Sequence, residues 1–130
     1  MATEGLLDTT WFVDLIRRDP GARALLDDIL SGEFIGYYSP VTAMELATGD
    51  KYTPAEDTFF RDVFSRLIVA DFDLRAAQLA GLFLRPFNEA DRKRLEHDAM
   101  IGASALSAGL TVYTRNVRDM ERFAASAFRY

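Results

Sequence analysis

Short apolar runs alternate along this chain with longer stretches whose apolar residues recur at helical spacing. Leu6 and Leu7 lie in the first run, FIGYY (Phe34 to Tyr38) is the second, LIVADF around Ile68 to Phe72 the third, and LTVYT (Leu110 to Thr114) the fourth. SAFRY offers a weaker fifth. Each run predicts a strand. Helical spacing falls between them at about Thr10 to Arg18, Gly21 to Ser31, Pro40 to Thr48, Ala55 to Arg66, Leu74 to Leu84 and Asp98 to Ala108. Strands separated by helices join through right-handed crossovers, so the pattern predicts an α/β fold with a mostly parallel sheet of about four to five strands. The crevice of such a sheet opens outside the carboxyl ends of its strands. Asp8 directly follows the first strand, and TRNVRD directly follows the fourth.

Composition narrows the class. The 130 residues are 49% hydrophobic and 27% charged, enough apolar mass for one core, and no repeat or linker divides them, so residues 1–130 are expected to form a single domain. The start of the chain has neither a basic leader nor a long apolar run, and no run suits a membrane span; a cytoplasmic protein without membrane contact is expected. Without cysteine there is no disulfide, thiolate metal site or cysteine nucleophile. A net charge of -5 argues against broad phosphate neutralisation. The charge is uneven: Arg115, Arg118, Arg122 and Arg129 against Asp119 and Glu121 leave the last 22 residues at +2 and the remainder at -7. A basic strip beside an acidic centre suits a metal site that receives a phosphodiester.

Four stretches offer candidate chemistry. In LLDTT, Asp8 can cap the following helix or hold a metal. In SPVTAMELATG, Glu45 is the sole charge between Ser39 and Gly49; on a helical wheel it lies about 40° from Val41, beside an apolar stripe that includes Met44. A carboxylate there is costly unless paired with a neighbouring arginine or bound to a metal. Asp27 and Asp57, by contrast, are expected to be solvated. In HDAMIGASAL, Asp98 opens a helix of small residues, where the macrodipole favours an anion; Asp91 and Glu96 are the alternative acids. His97, the lone histidine, has no second histidine with which to build a zinc site. In TVYTRNVRDM, Thr114 ends the strand, and Asn116 and Asp119 follow in a loop or at a helix start. Hard oxygen donors without cysteine suit Mg²⁺ or Mn²⁺.

In order and spacing these stretches resemble the PIN-domain ribonucleases, and within them the VapC-type toxins of toxin–antitoxin pairs. The resemblance runs along essentially the whole chain. It implies a PIN-like three-layer fold and a Mg²⁺-dependent endoribonuclease, with Mn²⁺ as the other candidate ion, leaving 3′-hydroxyl and 5′-phosphate ends. It also implies that Asp8, Glu45, Asp98 and Asp119 form the catalytic and metal-holding acids, with Thr114 and Asn116 lining them. Many relatives carry Asp where Asn116 stands, so either Asn116 or Asp119 fills the fourth position. Arg115 and Arg118 are candidate RNA-backbone contacts. The implied partners are RNA, a second copy of the chain, and a cognate antitoxin whose tail enters the acidic groove. The competing reading is a PIN-like module that binds RNA or protein without cleaving. A haloacid-dehalogenase-type phosphatase would need an Asp at Thr10, and a receiver domain would need a lysine where Arg115 stands.

Overall fold

Leu6 and Leu7 are adjacent in a strand, so they face opposite sides of the sheet, and both are 0% exposed. The sheet is therefore covered on both faces. A computed structural model describes residues 3–50 and 52–130. The strands β1 (Thr3–Leu7), β2 (Phe34–Tyr38), β3 (Ile68–Val69), β4 (Val112–Tyr113) and β5 (Ala127–Phe128) form one sheet in the order β3-β2-β1-β4-β5. Every neighbouring pair is parallel, with Leu6 opposite both Tyr37 and Val112. The α/β expectation holds, including the weak fifth strand.

The helices are α1 (Thr9–Ile16), α2 (Pro20–Ser31), α3 (Pro40–Ala47), α4 (Pro54–Ser65), α5 (Leu74–Leu84), α6 (Glu89–Ala108) and α7 (Val117–Met120). On one face Leu7 packs with Trp11, Phe12, Leu25, Ile29, Phe60 and Val63 of α1, α2 and α4. On the other, Leu6 packs with Val41, Ile101, Ala105 and Met120 of α3, α6 and α7. Helices, sheet and helices make three layers. Start signals are local: Asp8, Asp19, Ser39, Thr53, Asp73 and Asn88 each accept a backbone N–H as the cap of the next helix.

One boundary corrects the sequence reading. The last long helix begins at Glu89, well before Asp98, behind an Asn88 cap whose Oδ1 accepts the Asp91 N–H at 2.8 Å. EADRKRLEH consists largely of good helix formers, but among them only Leu95 is buried, so the segment has no apolar stripe to announce it. Asp98 is thus mid-helix. The macrodipole acts only within the first turn and gives it no support. What the small residues do achieve is close packing: a Cβ on Gly102 would lie 2.6 Å from the Phe123 Cβ and 2.7 Å from its carbonyl oxygen, so glycine alone fits beneath that backbone.

Candidate functional site

The chain passes from β1 outward through β2 to β3, then returns to add β4 and β5 on the other side of β1. Connections diverge at the carboxyl ends of β1 and β4, which is where such sheets open a crevice. Asp8 follows β1 and Thr114 follows β4, and the Thr114 hydroxyl donates to Asp8 Oδ2 at 2.6 Å.

Asp8 is 4% exposed. Its Oδ1 accepts both the Thr10 N–H at 3.1 Å and the Thr10 hydroxyl at 2.5 Å, so it does cap α1. Two donors fill the lone pairs of Oδ1; Oδ2 has one donor and keeps one lone pair. The cap and a possible ligand position therefore occupy different oxygens of one carboxylate. Burial pushes its pKa up, against the hydrogen bonds from Thr10 and Thr114, which pull it down.

Glu45 is half-buried, on the arc of α3 that carries Val41, Thr42 and Leu46. Val41, Thr42 and Leu46 are the buried residues of that helix, whereas Met44, expected on the apolar stripe, is 44% exposed. Among the described residues no arginine pairs with Glu45. Its Oε1 accepts the Thr9 hydroxyl at 2.7 Å, and since that hydroxyl has spent its proton, Thr42 donates to Thr9 Oγ1 across 3.1 Å. The Nδ1 of His97 stands 3.4 Å from Glu45 Oε2.

Asp98 carries the clearest electrostatic signature. Its carboxyl is pushed up from 3.8 to about 6, first by burial, then by the negative charges of Asp8, Glu45 and Asp119, with His97 opposing. Among the described residues no hydrogen bond offsets this burial. Four acids, one at the end of β1 and one each from α3, α6 and α7, therefore share one field. Asp119 and Asn116 are exposed, Asp119 in the first turn of α7 and Asn116 at its start. Asn116 makes no side-chain cap; its backbone N–H donates to Thr114 Oγ1 at 3.0 Å. Arg118 is exposed, while Arg115 is engaged with Asp14, its Nη1 donating to Oδ1 at 2.7 Å.

Sequence reasoning passed over Thr9, Thr10, Asp14 and Tyr130. Asp14 carried the same signal that singled out Glu45, a lone charge in an otherwise apolar helix, TTWFVDLI. It is 5% exposed and is held by Arg115 and by the Tyr130 hydroxyl. Beside Glu45 lies a cavity of ≈ 340 Å³ whose lining includes Val13, Ile16, Leu46, Tyr52 and Phe60 together with the charged Arg17 and Glu56.

Among the described residues no three His, Asp or Glu side chains converge as a ready-made coordination set. The donors nevertheless fit Mg²⁺, which keeps several waters and takes one or two carboxylates directly. Asp8 Oδ2 has a lone pair to give, and Asp98 is a half-buried acid whose repulsion with its neighbours a cation would relieve.

A family model described as PIN domain matches residues 5–126. The chain is 31% identical over 121 residues to Ribonuclease VapC19 of Mycobacterium tuberculosis, covering 91% of this chain and 93% of that protein. Among solved structures, the fold superposes on VapBC2 from Rickettsia felis bound to a DNA fragment from their promoter, with a TM-score of 0.74, 20% identity and coverage of 98% and 99% of the two chains. It also superposes on DNA-bound VapBC from Salmonella typhimurium, with a TM-score of 0.71, 26% identity and coverage of 99% and 98%.

Proposed function

Because this chain belongs to the PIN-domain family and is a homologue of the VapC ribonucleases, we propose that it is a Mg²⁺-dependent endoribonuclease, the toxin of a toxin–antitoxin pair. The observation that carries the reading is the Asp98 carboxyl, raised to about 6 first by its burial and then by the charges of Asp8, Glu45 and Asp119, at the point where the sheet's connections diverge. Such a field is wasteful in a protein that binds no cation.

Asp8, through Oδ2, and Asp98 would hold the ion, with Glu45 and Asp119 completing the set through water. When bound, Mg²⁺ neutralises charge on the phosphodiester and activates water for attack. The protein's own residues orient these groups. Thr9 fixes one oxygen of Glu45, leaving the other beside His97 to steer water or accept its proton. Thr10 and Thr114 fix Asp8. In the reaction the water oxygen bonds phosphorus, the P–O3′ bond breaks with its electron pair, and the 3′ oxygen takes up a proton. Arg118 is the freer of the two candidate backbone contacts. The cavity beside Glu45 is the natural seat for an antitoxin segment, with a basic residue reaching the acids.

The test is incubation of the purified protein with total RNA, with and without Mg²⁺, and mapping of the ends. Cleavage with 5′-phosphate ends that EDTA abolishes is expected. Undiminished cleavage in excess chelator overturns the metal mechanism, and RNA binding without cleavage returns the chain to the binding-only reading.

A further inference from the structure

Outside the acidic group, Arg115 is held at three atoms. Its N–H donates to Thr10 Oγ1 at 3.1 Å, its carbonyl accepts from Arg129 Nη1 at 3.0 Å, and its own Nη1 donates to Asp14 Oδ1 at 2.7 Å. Asp14 is buried, and its second oxygen accepts from the Tyr130 hydroxyl. A buried carboxylate is retained only with such partners, and removing one leaves it uncompensated. The neighbours of Arg115 in sequence are Thr114, whose hydroxyl reaches Asp8 Oδ2, and Asn116, whose N–H reaches Thr114. The hydroxyl that accepts the Arg115 N–H is the same Thr10 group that donates to Asp8 Oδ1. Both oxygens of Asp8 are therefore set by hydroxyls tied to the backbone around Arg115.

We propose that Asp14, Arg115 and Tyr130 are positioning residues that clamp the segment Thr114–Asn116 onto Asp8, so that one oxygen caps α1 and the other keeps its free lone pair for the reaction. This rests on the proposed nuclease function. It gives Arg115 an inward task in place of the RNA contact that its sequence position suggested.

Two readouts together separate positioning from mere stability or RNA binding. In Tyr130→Phe and Asp14→Asn, amide exchange at Arg115 and Asn116 is expected to quicken about tenfold, while Leu6, bonded to Thr111 within the sheet, keeps the parent rate. On RNA, kcat should fall about tenfold with KM within about twofold, as misplacement of a reacting group predicts. Arg115→Lys should recover part of the kcat lost in Arg115→Ala. Should Asp14→Asn fail to fold, Tyr130→Phe, which keeps the ring, carries the test. Unchanged exchange at Arg115 overturns the clamp. Faster exchange with parental kcat overturns its part in catalysis, and a raised KM confined to the Arg115 variants reassigns that residue to RNA. A parent protein that cuts no RNA sinks the nuclease reading, while amide exchange still decides the clamp.

Discussion

Asp8→Asn distinguishes the two oxygens of one carboxylate. The asparagine Oδ1 can still accept the Thr10 N–H and hydroxyl, and Asn caps a helix about as well as Asp. At Oδ2 an amide replaces the acceptor of the Thr114 hydroxyl. Loss of that charge-assisted bond costs about 1.5–3 kcal/mol. Against this, burial outweighs the hydrogen bonds in raising the Asp8 pKa, and Asp98 loses one repelling neighbour. The two effects are of opposite sign. Metal-free stability should therefore fall by less than the full cost of the lost bond, about 1.5–3 kcal/mol. Metal is where the variants part. At a Mg²⁺ concentration a hundredfold above Kd, the parent gains about 2.7 kcal/mol, visible as a rise near 10 °C, and the variant little. Melting curves with and without Mg²⁺, beside an RNA cleavage assay, read both quantities. An Asp8→Asn protein that cleaves and shows the full metal shift would reduce Asp8 to a helix cap.

Asp98 makes metal-free stability depend on pH. Its folded pKa lies above its unfolded value, so stability is fully present below pH 3.8 and is lost as pH rises to about 6, by at most about 3 kcal/mol. Asp98→Asn should remove that slope and also the cleavage; a slope that survives the substitution belongs to other groups. Glu45→Gln should lower kcat by at least about a hundredfold, whereas exposed Asp27→Asn leaves it unchanged. Equal kcat values in the two would remove Glu45 from the site. Asp57 is no such control: solvent reaches it as expected, but it also accepts from Tyr52 and Arg61, which hold its pKa below the usual carboxylate range. Gly102→Ala forces a methyl against Phe123 and should cost about 1–3 kcal/mol in chemical denaturation, with parental stability refuting the close approach.

The strands and the buried acids were legible for the same reason: each is a local departure from its surroundings. FIGYY is an apolar run bounded by polar residues, and β2 has the limits that run predicts. Glu45 and Asp8 stood out as charges in apolar company, and both lie at the crevice. The start of α6 was hidden because a charged, solvated helix has helix propensity but no periodicity. Asp14 was readable by the rule applied to Glu45, but its partners Arg115 and Tyr130 lie more than a hundred residues away, and no local pattern connects them. Met44, expected on the apolar stripe, is exposed while Thr42 is buried, because Thr42 satisfies its hydroxyl on Thr9, a contact between helices that a single helix cannot reveal.

The strand order also sets a schedule for synthesis. β1 is central, but its partner β4 arrives 106 residues after Asp8, measured at Thr114. A chain emerging from its amino end can pair β1 with β2 and pack α1 and α2 early, because these contacts are close in sequence. Asp8 and Glu45 then stand within a half-built sheet that lacks Asp98, Thr114 and Asp119. The repulsion that Asp98 meets from Asp8, Glu45 and Asp119 is deferred until α6 and α7 dock, so it burdens the late steps and spares the first. A ribosome-bound fragment ending before α6 should accordingly be folded in part yet lack Asp98, Thr114 and Asp119, and a nuclease of the proposed kind would cleave no RNA around it until its synthesis is nearly finished.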